Sequence, residues 1–98
     1  MRNHAADFAA FHACNPHVYE ELLRLARRLR TRGIDRYGIA GLFEVLRYDH
    51  TITTGTTDWK LNNNYRAFYA RLIMANHPEL AGLFEVRRSA ADLEAVAS

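Results

Sequence analysis

The side chains best suited to chemistry lie around position 65, where three consecutive asparagines precede a segment that carries arginines. An asparagine can bond N6 and N7 of adenine together, and an arginine can bond guanine or a phosphate. The candidates for contact with DNA grooves are Asn63, Asn64, Arg66 and Arg71, with Lys60 just before them. Asparagine is also a favoured helix N-cap. These asparagines therefore either read bases or only begin a helix.

A second basic region lies between residues 24 and 36, which contain six arginines and one acid, Asp35. Arginine forms strong bidentate bonds with phosphate. Contacts with a DNA backbone would come from Arg27, Arg28 and Arg30. The alternative, which the pattern favours somewhat more, is a solvated helix face whose arginine stems cover apolar surface.

Histidine and cysteine spacing gives no indication of an enzyme or a metal centre. His12 and His17 are five residues apart with Asn15-Pro16 between them, and no C-x-x-C or H-E-x-x-H pattern occurs. Cys14 lies between the two histidines, but spacing alone does not make a nucleophile and base. The acids are scattered, and no glycine-rich phosphate loop is present. We expect a protein that is not an enzyme and has no metal and no cofactor.

Composition is that of an ordinary globular domain. The chain has 98 residues, 49% of them hydrophobic and 24% charged, and its formal net charge is +2. The single cysteine suits a reducing compartment, and no apolar run approaches the roughly 18 residues of a membrane span. We expect a soluble cytoplasmic protein with no membrane partner, formed by one helical domain over 1–87 and a flexible tail over 88–98.

The first helix that the sequence predicts with clear boundaries covers 16–32. Asn15-Pro16 suits its beginning, and Gly33 suits a left-handed cap at its end. Its buried stripe is Val18, Leu22, Leu25 and Leu29. Before it, residues 1–14 are ambiguous, with Phe8 and Phe11 able to pack back onto the core from a short helical turn.

Three further elements are predicted downstream. A helix covers about 38–48, and Gly41 in it would mark a place where another helix crosses closely. Threonines and Trp59 favour a short β-hairpin at 51–59, or failing that an ordered loop, and the hairpin would lean on the helices through Ile52 and Trp59. A helix over 60–74 follows, with Tyr65, Phe68, Leu72 and Ile73 on the core. It stops at Asn76-His77-Pro78 because proline cannot continue the hydrogen-bond ladder, and 78–84 forms a short turn of helix.

The predicted fold class is therefore mainly α, a small helical bundle of three main helices with a short β-hairpin, similar to a winged helix-turn-helix. In such a fold, the helix at 60–74 would enter the DNA groove. The connection over 49–61 is longer than the usual tight turn, which is why a winged form is required.

Several short stretches spread over residues 11–87 resemble a family of small phage and prophage proteins of uncharacterised function. They are Phe11-His12, Asn15-Pro16-His17-Val18-Tyr19, Phe43-Glu44-Val45-Leu46-Arg47-Tyr48, Lys60-Leu61-Asn62-Asn63-Asn64-Tyr65, Tyr69-Ala70-Arg71-Leu72-Ile73-Met74 and Pro78-Glu79-Leu80-Ala81-Gly82-Leu83-Phe84. The resemblance implies a bacterial virus and the cytoplasm of its host, and it implies no catalytic residues.

Two functions follow as hypotheses. The first is a small, non-enzymatic, phage-derived protein that binds DNA, with a regulatory role as one possibility. The second is a phage protein that binds and inhibits a host protein, such as a component of bacterial immunity. The sequence decides neither the identity of a partner nor the oligomeric state.

Overall fold

The computed structural model describes residues 4–56 and 61–85, and these form four helices and two short 3-10 segments. The helices are α1 (His4–Cys14), α2 (Pro16–Thr31), α3 (Ile39–Thr54) and α4 (Arg66–Asn76). The 3-10 segments are Asn63–Tyr65, which leads into α4, and Pro78–Leu80, which follows it.

The helix predicted over 16–32 is confirmed as α2 to within one residue at its end. Pro16 occupies its first turn, and Asn15 interrupts the helical backbone with a φ of −133°. The Nδ2 of Asn15 donates to the carbonyl of Phe11 at 3.0 Å, which joins α2 to the preceding helix. Gly33 has a φ of +82°, so the predicted left-handed cap is also confirmed.

Before α2, the ambiguous segment forms an eleven-residue helix, α1, rather than a single turn. Phe8 and Phe11 pack against the core from it, as expected. Phe8 stacks on Phe68 with ring centroids 5.0 Å apart and meets Tyr69 edge-on at 4.8 Å. These aromatic contacts hold α1 against α4.

The core combines the inner faces of α2, α3 and α4 with the segment that follows α4. Its buried hydrophobic residues are Val18, Leu22, Ala26, Leu42, Phe43, Leu46, Leu61, Tyr65, Tyr69, Ala70, Ile73, Leu80, Leu83 and Phe84. The predicted stripe on α2 is shifted slightly, because Ala26 is fully buried while Leu25 and Leu29 are only partly buried.

The β-hairpin predicted at 51–59 is wrong. Residues 51–54 are the last turn of α3, and no strand forms anywhere in 4–56 or 61–85. Gly55 ends the helix in a left-handed conformation with a φ of +73°, and its N–H donates to the carbonyl of Thr51 at 2.8 Å. The hydroxyl of Thr54 donates to the carbonyl of His50, which ties this threonine into the helix. Trp59 and Lys60 lie outside the described residues.

Ile52 was expected to lean on the helices, yet it lies on the outer side of α3 with 65% of its surface exposed. The nearest neighbour of Gly41 is likewise not the crossing helix that was expected. A Cβ at this position would meet the ring of Tyr37, whose nearest carbon is 2.9 Å away. The neighbour of Gly41 is thus a side chain from the preceding loop.

The winged helix-turn-helix likeness is wrong as well, because the described residues form four helices rather than three main ones and no strand that could serve as a wing. In addition, α4 lies largely inside the domain. Every residue from Tyr65 to Met74 is at least partly buried, and Tyr69, Ala70 and Ile73 are completely buried. A recognition helix must offer one side to a DNA groove. The apolar side chains of α4 are spread around most of the helix, so no polar, exposed side remains for DNA. This distribution is typical of a central helix.

Candidate nucleic-acid interface

The outer side of α2 is a strongly basic surface. Its exposed residues include Arg24, Arg27, Arg28 and Thr31, with Arg32 just beyond the helix end. These positions recur at three- and four-residue intervals, so they share one side of the helix. The buried residues Val18, Leu22 and Ala26 lie on the opposite side. We call this exposed side the α2 arginine face.

The side chains of the α2 arginine face differ in how much of their hydrogen-bonding capacity is already used. Arg24 is paired with Glu21, and the Nε of Arg24 donates to the carboxylate at 3.0 Å. This bond lowers the pKa of the Glu21 carboxyl and raises the pKa of Arg24. The Nη2 of Arg27 lies 3.2 Å from the Nδ1 of His77, at the end of α4. Arg24 and Arg27 therefore each have one partner within the protein.

Arg28 and Arg32 are the unengaged members of the α2 arginine face. Neither guanidinium forms a hydrogen bond or an ion pair with any residue of the described structure. A shallow open depression runs beside them and is also lined by Glu20 and Leu23. The surface there offers five guanidinium N–H donors from each of two side chains. Such donors suit an anion with several oxygens.

Unlike the exposed arginines of α2, Arg30 forms hydrogen bonds with distant parts of the chain. Its guanidinium donates to four backbone carbonyls, those of Glu79 at 3.2 Å, Ala81 at 2.8 Å, Ile34 at 3.2 Å and Asp35 at 3.1 Å. These carbonyls belong to the loop after α2 and to the segment after α4. Arg30 therefore holds three parts of the chain together, and little of its hydrogen-bonding capacity remains for a phosphate.

The asparagine stretch forms a hydrogen-bonded turn at the start of α4. The Oδ1 of Asn62 accepts from the backbone N–H of Asn64 at 2.9 Å, so the helix-capping interpretation is confirmed for Asn62. Arg66 donates from Nε to the carbonyl of Asn63 at 3.1 Å. Asn63 and Asn64 are exposed and Arg66 is half-buried.

Arg47 on α3 is a residue that sequence reasoning missed at this turn. Its Nη2 donates to the carbonyl of Leu61 at 2.6 Å and also to the Oδ1 of Asn63. It is ion-paired with Glu44 on its own helix as well. No local sequence pattern predicts these hydrogen bonds of Arg47, because its partners Leu61 and Asn63 lie 14 and 16 residues away along the chain. The side chain of Asn63 is thus held by the fold rather than presented freely.

The two predicted groups of site residues lie at opposite ends of α4. Arg27 meets His77 after the last turn of this helix, whereas Asn63, Asn64 and Arg66 precede or begin it. The helical rise over that stretch amounts to about 20 Å. Arg71 is half-buried between the two ends, and Lys60 lies outside the described residues. The structure does not gather the predicted groove and backbone residues into one cluster.

Two of the histidines contact aromatic side chains of the core. His12 stacks on Phe8 with an interplanar angle of 1°, and His77 lies 3.2 Å through its Nε2 from the hydroxyl of Tyr19. Cys14 is exposed. In the ranges 4–56 and 61–85, no three histidine, cysteine or acidic side chains group as metal ligands would.

Exposed apolar residues are the second feature that sequence reasoning missed. Tyr48 and Ile52 on α3 are 66% and 65% exposed, and Val45 is 37% exposed. Tyr37 at 41% and Ile34 at 38% lie in the loop before α3. The signal was present in the sequence, because 45, 48 and 52 follow helical spacing once the helix is extended past residue 48.

No protein-family model, no curated protein and no solved structure matches this chain. The resemblance to small phage proteins accordingly stays a prediction. Within the part of the chain that the structure describes, none of the helices has the length and apolar character needed to cross a bilayer.

Proposed function

We propose that this chain is a small, non-enzymatic, phage-derived DNA-binding protein that contacts the phosphate backbone through the α2 arginine face. The observation that carries the proposal is the exposure of Arg24, Arg27, Arg28 and Arg32 on one side of α2, with Arg28 and Arg32 unengaged by the described fold. Arginine suits phosphate because its planar donors meet two oxygens at once.

The proposal changes the predicted set of contacts. Arg27 and Arg28 stay in it, while Arg30 leaves it because four carbonyls already occupy its guanidinium. Base reading by Asn63, Asn64, Arg66 and Arg71 is not part of the proposal. Arg66 and Arg71 are half-buried, and the exposed Asn63 and Asn64 belong to the hydrogen-bonded turn before α4. Contacts with phosphate position a protein on DNA without reading its sequence. We therefore expect binding with little sequence preference, suited to a regulatory or packaging use.

Salt dependence tests this proposal quantitatively. Four phosphate contacts give a slope of about −3.6 in a plot of log K against log salt. Affinity for a short duplex would then fall roughly 150-fold between about 50 and 200 mM salt. Arg28→Ala should make the slope shallower by about one unit, as should Arg32→Ala, each by the loss of one contact.

Arg66→Ala is the matched comparison for Arg28→Ala in this titration. It removes the same charge at the far end of α4, so it should leave the slope unchanged under the proposal. Fluorescence anisotropy with a labelled duplex gives all these slopes. No affinity near 50 mM salt, or a slope that changes with Arg66 and not with Arg28, would contradict the proposal.

A second candidate is a protein that binds a host or phage protein, such as a component of bacterial immunity. The exposed apolar side of α3 favours it, because large apolar side chains in a row on a surface commonly mark a protein contact. Capture from nuclease-treated host lysate would test it, with Ile52→Lys as the comparison. A partner retained by the parent chain and lost by this variant would support protein binding.

A further inference from the structure

His77, which follows the last turn of α4, contacts α2 through both nitrogens of its ring. Its Nε2 lies 3.2 Å from the hydroxyl of Tyr19, and its Nδ1 lies 3.2 Å from the Nη2 of Arg27. A carboxylate oxygen of Glu79 lies 3.5 Å from the same Nδ1. The side chain of His77 is 21% exposed, so protein surrounds most of it while protons still reach it from solvent. The Nδ1 atom therefore has a guanidinium and a carboxylate as close neighbours.

These contacts determine which ring nitrogen carries the proton when His77 is neutral. A guanidinium can only donate hydrogen bonds, so the bond from Arg27 requires an Nδ1 without a proton. The proton then lies on Nε2, which donates to the oxygen of Tyr19. The Nδ2 of Asn76 donates to the same oxygen at 3.2 Å. Neutral His77 therefore holds the Arg27 guanidinium and is itself held by Tyr19.

Protonation of His77 removes the acceptor that Arg27 uses. Both ring nitrogens of an imidazolium are donors, so Nδ1 can no longer accept from Arg27, and two cations would face each other. The carboxylate of Glu79 is already 3.5 Å away and can accept the new Nδ1–H. Because Nε2 donates to Tyr19 in both states, the ring need not leave its position. Protonation thus exchanges Arg27 for Glu79 as the partner of Nδ1.

We propose that His77 is a pH-dependent switch on the α2 arginine face, whose neutral form holds Arg27 and whose protonated form releases Arg27 to bind phosphate. Histidine is the side chain whose charge normally changes between about pH 5 and 8. His77 acts on DNA only through Arg27, so it is a positioning residue. The effect on DNA rests on the proposed function, whereas the exchange of partners is a property of the free protein.

Other elements also bring charged or titratable groups to this cluster. Together with the partners of His77 they are Tyr19, Arg27 and Arg30 from α2, His12 from α1 and Glu79 from the segment after α4. Arg30 donates to the backbone carbonyl of Glu79 at 3.2 Å, a bond that the protonation of His77 does not remove. The ring of His12 lies 5.4 Å from that of Tyr19 between centroids. Because His12 is a second histidine, the test must separate it from His77.

NMR of the full chain without DNA tests the exchange of partners itself. Nitrogen spectra of the imidazole should show the Nε2–H tautomer of His77 at about pH 8, and the Arg27 side-chain signal should follow the titration of His77 as pH falls to about 5.5. This movement should vanish in His77→Gln and persist in His17→Gln, which removes an exposed histidine from the first turn of α2. An Nδ1–H tautomer at the higher pH, or an Arg27 signal independent of His77, would overturn the proposal. Both are measured on the parent chain, so they decide even if a variant fails to fold.

Anisotropy titrations with a labelled duplex test the effect on binding. As pH falls from about 8 to 5.5, the parent should gain roughly three- to tenfold more affinity than His77→Gln, because one guanidinium no longer has to break its own hydrogen bond. Its salt slope should steepen by about one unit, from three contacts to four.

The Arg27→Ala background separates release of Arg27 from the added charge of His77. In that background, His77→Gln should change the pH dependence no further. An equal gain in the parent and in His77→Gln, or a difference that persists without Arg27, would overturn the switch. A duplex that binds at neither pH would instead contradict the proposed function, and the NMR titration without DNA would still decide the exchange of partners.

Discussion

Arg30→Ala removes a guanidinium that donates to four backbone carbonyls, two of them 49 and 51 residues away along the chain. The Arg30 side chain is 27% exposed, so water can replace part of what is lost. At about 0.5–1 kcal/mol for each bond in such a partly solvated position, the free energy of unfolding should fall by about 2–4 kcal/mol. Arg30→Lys should lose most of this, because one ammonium cannot reach all four carbonyls.

Urea denaturation followed by far-UV circular dichroism measures this loss. Arg28→Ala is the matched control on the same helix, and it should change the free energy of unfolding by no more than about 0.5 kcal/mol. The two variants should separate again in DNA titrations, where Arg28→Ala alters the salt slope and folded Arg30→Ala does not. Equal stability of the two variants would refute the structural role of Arg30.

Three further outcomes are expected. Tyr69→Phe should keep or raise stability by about 1 kcal/mol in urea titrations, because its buried hydroxyl has no partner among the described residues and burial raises its pKa; a loss would contradict this. Gly41→Ala should leave the free energy of unfolding nearly unchanged, because a gain in helix propensity of about 1 kcal/mol offsets the cost of displacing the Tyr37 ring. Strong destabilisation would contradict this and would mean that the Tyr37 ring cannot move aside. Arg24→Ala should raise the depressed pKa of Glu21 in an NMR titration. The small stability from that pair is present above the unfolded pKa of Glu21 and is lost as pH falls through its folded pKa.

Local signals predicted much of the fold. The beginning of α2 at Asn15-Pro16, its left-handed end at Gly33 and the end of α4 before Pro78 are each set by backbone preferences of a few residues. The burial of Tyr65 and Ile73 followed from helical spacing, whereas Phe68 and Leu72, which the same spacing put on the core, are only half-buried. Such features need no knowledge of distant contacts, which is why the sequence was enough for them.

The hairpin prediction failed because strand propensity is weak and depends on context. Thr51, Ile52 and Thr54 are common in strands, but here they continue a helix that Gly55 ends. The winged helix-turn-helix prediction failed for a related reason. A polar beginning to α4 suggested an exposed helix, whereas tertiary packing around Tyr69 places it inside.

The candidate interface was only partly predictable, because residues of the same type have different neighbours in the folded chain. Arg28 and Arg30 are indistinguishable in the sequence, yet Arg28 is unengaged by the described fold and Arg30 binds four carbonyls. Arg47 reaches Asn63 across 16 residues. Only the folded arrangement separates arginines that hold the chain together from those available to a ligand.

Chemical-shift mapping of the full, isotopically labelled chain with a short DNA duplex tests the proposed function most directly. Titration at low salt should shift backbone and arginine Nε signals of Arg24, Arg27, Arg28 and Arg32, and it should leave the signals of Tyr48 and Ile52 on α3 in place. The shifts should fade as salt is raised. Shifts concentrated on Asn63 to Arg66, or no shifts at all, would contradict binding through the α2 arginine face.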